Sequence, residues 1–170
     1  MLVVFGGLPG TGKTTLARGL ARRLKATYIR IDTIEQALRD SGALAGGVDD
    51  AGYRVAYALA ADNLRLGISV VADSVNPLKI TRDAWCAVAA DTGAQVIEIE
   101  VVCSDLVEHR RRVGSRQSDI PGLSLPSWQD VLDRQYEPWD RPHIVVDTAT
   151  TSVDELLAEL GTMIGAASHS

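Results

Sequence analysis

The chain has 170 residues, 46% of them hydrophobic, which suits one compact domain with its own core and leaves little room for a second. Seventeen Lys and Arg against 22 Asp and Glu give a net charge of -5, which excludes broad attraction to nucleic acid or anionic membrane as the driving force and leaves only local basic sites. No apolar run approaches the roughly 20 residues of a membrane helix, and Met1 to Phe5 is too short for a leader, so the expected address is cytoplasmic, with Cys86 and Cys103 as buried reduced thiols.

Leu2 to Phe5 is a short apolar run ending at glycines, and Leu16, Leu20 and Leu24 then recur at helical spacing, so the chain opens as strand, loop and helix. A second strand is predicted over Thr27 to Ile31, a helix from Thr33 to about Arg39, and a loop of small residues from Ser41 to Gly47. Tyr53, Ala56, Tyr57, Ala60 and Leu64 mark the face of a third helix, which leads through Gly67 into a strand from Ile68 to Ala72. Asn76-Pro77 suits the start of a fourth helix, with Trp85, Val88 and Ala89 as its buried stripe, before a strand from Gln95 to Val102. Asp105 to Val113 reads as an arginine-rich helix, Ser118 to Ser127 as a loop and Trp128 to Tyr136 as a helix. A last strand, His143 to Val146, precedes a helix carrying Val153, Leu156, Leu157, Leu160 and Ile164, and the Ala-Ala-Ser-His-Ser tail is expected to fray. The alternation predicts a three-layer α/β/α fold around a mostly parallel five-stranded sheet, in a single domain spanning 1–170.

The segment Gly7-Leu8-Pro9-Gly10-Thr11-Gly12-Lys13-Thr14 follows the first strand directly and opens directly into a helix, the context that a phosphate-binding loop requires. Its glycines let successive backbone N–H groups face one anion, and the positive end of the following helix adds to the attraction. Lys13 is placed to reach the β- and γ-phosphates and the Thr14 hydroxyl to ligate magnesium, with Thr15 completing the nucleotide-binding set. Asp73 ends the third strand, facing the same crevice, and reads as a magnesium or acceptor contact or as a capping residue. Asp32 closes the second strand; a carboxylate there serves as acceptor base, N-caps the next helix with Glu35 in a capping box, or does both.

The phosphate loop, Asp32 before a helix, the stretch Val70 to Pro77 with the later Trp85, and the arginine-rich helix together resemble the small P-loop kinases of the polynucleotide-kinase and chloramphenicol-phosphotransferase type. That resemblance implies ATP as the nucleotide, Asp32 as general base and a helical lid over residues 109–127. Polynucleotide kinases of that type carry an acceptor-binding arginine three residues after the base, a position held here by Glu35. With the net charge, this departure points away from a nucleic-acid acceptor and toward the hydroxyl of a small molecule.

Transferring a phosphoryl group spreads negative charge over its equatorial oxygens, so arginines are expected over the nucleotide. Arg112 and Arg116, four apart, share a helix face on this reading and are the candidates for both binding and catalysis, although three lysines among 17 basic residues make any basic cluster here an arginine cluster. Packing is the expectation for His109, His143 and the three tryptophans. Arg39, Tyr53, Arg54 and Tyr57 border the segment where an acceptor would enter. The sequence thus predicts an ATP- and magnesium-dependent kinase for a small hydroxylated molecule, with a nucleotide-gated binding module as the rival reading.

Overall fold

A computed structural model describes residues 1–42 and 47–167. Its strands are β1 (Leu2–Gly6), β2 (Thr27–Arg30), β3 (Val70–Asp73), β4 (Val96–Val102) and β5 (Ile144–Asp147), and its helices α1 (Lys13–Leu24), α2 (Ile31–Ser41), α3 (Ala51–Arg65), α4 (Lys79–Thr92), α5 (Leu106–Ser115), α6 (Trp128–Leu132) and α7 (Val153–Ala167). The strands form one parallel sheet in the order β2-β3-β1-β4-β5.

Every residue of β1 is buried, because the strand is central and covered on both faces. Side chains two apart share a face, so Val3 and Phe5 pack with Leu16 and Leu20 of α1 and Leu157, Leu160 and Ile164 of α7. Leu2 and Val4 pack on the other side with Ala56 and Ala60 of α3 and Trp85 of α4. Gly19 lets α7 close onto α1: a Cβ there would lie 2.6 Å from Leu157 Cδ1. Phe5 and Arg30 both stand level with Asp73 across the sheet, which brings the carboxyl ends of β1, β2 and β3 to one edge. No described helix is long and apolar enough to cross a membrane.

The expected bounds shift by one or two residues at β3 and α5, and three further boundaries differ for a physical reason. Helix α2 begins at Ile31, immediately after β2, because Ile31 is buried in the core beneath it; Asp32 therefore lies in the first turn of α2 and does not end a strand. The residue capping α2 is Arg30, with no side-chain cap bond, so the Asp32–Glu35 capping box does not form and Glu35 accepts a hydrogen bond from Arg39 at 3.1 Å. Helix α4 begins at Lys79, since Asn76 adopts φ 47° and folds inward. Helix α6 stops at Leu132; beyond it the chain is drawn to the sheet, where the Tyr136 hydroxyl donates to Glu100. The predicted loop at Ser41 to Gly47 lies in part, over 43–46, outside the described residues, as does the end of the tail at 168–170.

Asn76 is fully buried; its amide donates to the Phe5 carbonyl at 2.9 Å and its carbonyl accepts from Trp85 Nε1 at 3.2 Å. Asn76→Ala strands both partners, and the expected loss is about 2–4 kcal/mol of unfolding free energy in urea titration. A loss below about 1 kcal/mol would mean that the two partners are satisfied without the amide.

Candidate nucleotide and acceptor site

The phosphate loop curls through left-handed backbone at Gly7 (φ 131°), Gly10 (φ 88°) and Gly12 (φ 94°). At Gly7 no other residue fits, since a Cβ would lie 2.2 Å from the Val101 carbonyl oxygen; at Gly10 it would lie 2.5 Å from Val113. Leu8 and Thr11 shape the loop from behind: the Leu8 carbonyl accepts from Thr11 Oγ1 at 2.9 Å and from Lys13 Nζ at 3.4 Å. Pro9, Gly10, Gly12, Lys13, Thr14 and Thr15 line a cavity of about 1020 Å³. Its other walls come from α2, the start of α3, residues 75–78 and the segment 112–126. Lys13 is buried, and burial pushes its ammonium pKa down, against the pull of Asp73 and Asp32.

The two aspartates occupy different depths. Asp73 is 3% exposed and lies behind the cavity wall, its Oδ2 accepting from the Tyr28 hydroxyl at 2.7 Å with Arg30 Nε at 3.9 Å. Asp32 lies on the wall with its side chain 48% exposed, 3.6 Å from the Arg30 guanidinium. Arg30 itself is held by Asp119 at 2.7 Å, and Asp119 also accepts from Arg18 at 2.6 Å. Those two hydrogen bonds pull the Asp119 carboxyl down to about 2, and they tie the loop after α5 to α1 and β2.

Arg112 and Arg116 both line the cavity, but they differ in commitment. The Arg112 guanidinium donates to Glu108 at 2.7 Å and to the Thr148 hydroxyl and carbonyl at 2.8 and 3.0 Å. Thr148 in turn donates to the Thr11 carbonyl at 2.7 Å, so Arg112 braces the back of the phosphate loop. Arg116 caps α5 in extended backbone, so the shared helix face expected from the spacing of four does not form. Its Nε is buried with no partner, and burial pushes its pKa down. A half-buried guanidinium whose Nε has no partner among the described residues, a desolvated lysine and a loop of left-handed glycines at a helix N-terminus fit a triphosphate. Thr14 on the wall with Asp73 behind it suits one magnesium ion only if nucleotide and water complete its shell, since the described residues include no cluster of three or more His, Cys, Asp or Glu side chains fit to hold a metal.

Several contributors escape a reading by motif. Thr148 follows β5 at the same sheet edge as Asp73, a position at which a polar residue is informative. His109 is buried, with Nε2 2.8 Å from the Pro9 carbonyl and its ring edge-on to Trp128 at 5.1 Å. His143 stacks on Trp139 and lies 3.2 Å from Glu100, away from the cavity. Tyr53 and Arg39 line the cavity; Tyr57 donates to the Thr81 carbonyl, and Arg54 pairs with Asp50 at 2.7 Å. Cys103 is buried and Cys86 partly so, and both are free thiols.

Comparison with known proteins places this geometry. An uncharacterized protein of Mycobacterium tuberculosis is 36% identical over 161 residues, which are 87% of this chain and 32% of that protein, so the chain spans about a third of its relative's length. The adenylyl-sulfate kinase of a Synechococcus species is 28% identical over 91% of this chain and 88% of its own. The crystal structure of the Mycobacterium tuberculosis APS kinase in complex with AMPPNP and APS superposes with a TM-score of 0.71 at 21% identity, covering 96% of each chain. The family model for the AAA domain matches residues 2–138. The chain belongs to the AAA domain family, and its fold is that of the small P-loop kinases.

Proposed function

We propose that the chain is an ATP- and magnesium-dependent phosphotransferase that moves the γ-phosphoryl group to a hydroxyl of a small molecule. The observation that carries this reading is the cavity in which Lys13 and Arg116, whose Nε has no partner among the described residues, share the wall with the half-exposed carboxylate of Asp32. A nucleotide switch has no use for a carboxylate presented in this way, whereas a kinase needs one to take the acceptor proton. The adenylyl-sulfate kinase relative supports the same class of reaction. Because the chain is only a third as long as its mycobacterial relative, the proposal concerns this domain.

Lys13 and the backbone amides of Gly10 to Thr15 hold the phosphates, and the rigid loop presents them without reorganisation. Thr14, with Asp73 behind it, would hold the magnesium ion, which would offset phosphate charge when bound. Asp32 accepts the hydroxyl proton. Arg116 supplies charge to the transferring group, while Arg112, already satisfied, keeps Thr148 against the loop. Dependence on ATP implies a cytoplasmic setting. The test is a transfer screen with γ-labelled ATP and magnesium against hydroxylated small molecules and oligonucleotides, with Lys13→Ala as control. Label in a small molecule that vanishes with the lysine supports the proposal; label only in water, with ATP bound, overturns it.

A further inference from the structure

The cavity walls are electrically unequal. The phosphate side is basic through Lys13 and Arg116, while the far side carries four carboxylates, Asp32, Glu35, Asp49 and Asp50, against Arg39, Arg134 and Arg30, the last held 3.6 Å from Asp32. Arg39 and Arg134 are exposed, as are Asp49 and Asp50, so solvent screens them. The charges set into the far wall are Glu35 and the pair Asp32 and Arg30, and Asp32 is occupied by the transfer itself. Glu35 keeps only 21% of its side chain exposed, and its one partner among the described residues is Arg39, at 3.1 Å and 46% exposed. That bond uses Oε2; Oε1 accepts from no donor among the described residues.

The placement of Glu35 is built into the packing of α2 on α3. Gly52, in the first turn of α3, is buried directly against it, and a Cβ on that glycine would lie 2.4 Å from Glu35 Cγ. Any larger residue at 52 displaces the carboxylate from the wall. A surface glutamate would need no such accommodation.

On these grounds, and resting on the kinase reading above, we propose that Glu35 selects the acceptor and that the acceptor is a small alcohol bearing an ammonium group, such as an amino sugar or amino alcohol. The ammonium donates to Glu35 Oε1 while a neighbouring hydroxyl of the same molecule meets Asp32. An anionic acceptor would instead bring its charge against a carboxylate that the single exposed arginine only partly offsets. Burial pushes the Glu35 pKa up, against the pull of Arg39 and Arg134. The transfer balances: the acceptor oxygen gains phosphorus, its proton passes to Asp32, ADP leaves, and the ammonium is untouched.

The experiment compares matched acceptors with γ-labelled ATP and magnesium: glucosamine with N-acetylglucosamine, ethanolamine with ethylene glycol, and gluconate and adenylyl sulfate as acids. The expected result is a kcat/KM at least about tenfold higher for each amine than for its neutral partner, and none measurable for the acids. Glu35→Gln is expected to erase the preference through a roughly tenfold rise in amine KM, with kcat changed less than about threefold. Gly52→Ala, which keeps the carboxylate but moves it, is expected to shift KM the same way. Equal or better transfer to neutral or acidic acceptors, or a preference that survives Glu35→Gln, overturns this assignment and leaves the kinase reading standing. Transfer to no compound, with ATP bound, overturns both.

Discussion

Asp32→Asn is expected to lower kcat by about 10²–10⁴ while ATP affinity changes less than about twofold. Asparagine matches aspartate in shape and still receives a hydrogen bond, so the substitution removes the proton acceptor and little else. The geometry supports this separation. Asp32 sits on the open wall in the first turn of α2, whereas Asp73, buried behind the wall, is bonded to Tyr28. Single-turnover transfer beside an equilibrium titration with ATP separates the two effects. Unchanged turnover removes Asp32 from the mechanism; a parallel loss of magnesium-dependent ATP affinity would give it the metal role proposed for Thr14 and Asp73.

Arg116→Ala is expected to lower kcat by about 10³ or more, the range found where an arginine stabilises a transferring phosphoryl group. The same substitution is expected to leave thermal stability unchanged or slightly raised. Arg116 is half-buried, its charge offset in part by Asp32 and its Nε without a partner among the described residues, so its removal relieves a desolvation cost. Arg112→Ala gives the opposite pairing: it leaves Glu108 and Thr148 without their shared donor and loosens the Thr11 carbonyl, so stability and ATP affinity fall together. Thermal melts with and without ATP, beside kcat, distinguish them. A loss of stability in Arg116→Ala equal to that in Arg112→Ala would assign Arg116 a structural role.

Much of the fold was legible because it rests on short-range periodicity. β1, α1, α3 and α7 repeat their apolar residues at the spacing of their own element, and the phosphate loop carries its glycines, lysine and threonine at fixed offsets. Asp32 was misplaced by two residues because Ile31 reads equally well as the last residue of a strand or the first buried residue of a helix. The contacts that distinguish Arg112 from Arg116 were not legible. The Thr148–Thr11 bond joins residues 137 apart and the Arg18–Asp119 bond residues 101 apart, and no local period encodes a partner at that distance. The helical spacing of Arg112 and Arg116 was correct as arithmetic, but α5 ends at Ser115 and leaves the second arginine in extended chain.

The side chains joining α5 to the phosphate loop decide where this protein bends. His109 meets the Pro9 carbonyl, Val113 lies over Gly10, and Arg112 reaches the loop through Thr148, so three successive contacts bolt one helix to the part that grips phosphate. Such a helix moves only if the grip moves with it. We propose that any hinge falls after Ser115, in the short strap that carries Asp119, whose half-exposed carboxylate holds Arg18 and Arg30 in ion pairs that salt weakens. Raising ionic strength is then expected to loosen that strap while the contacts of α5 with the phosphate loop persist.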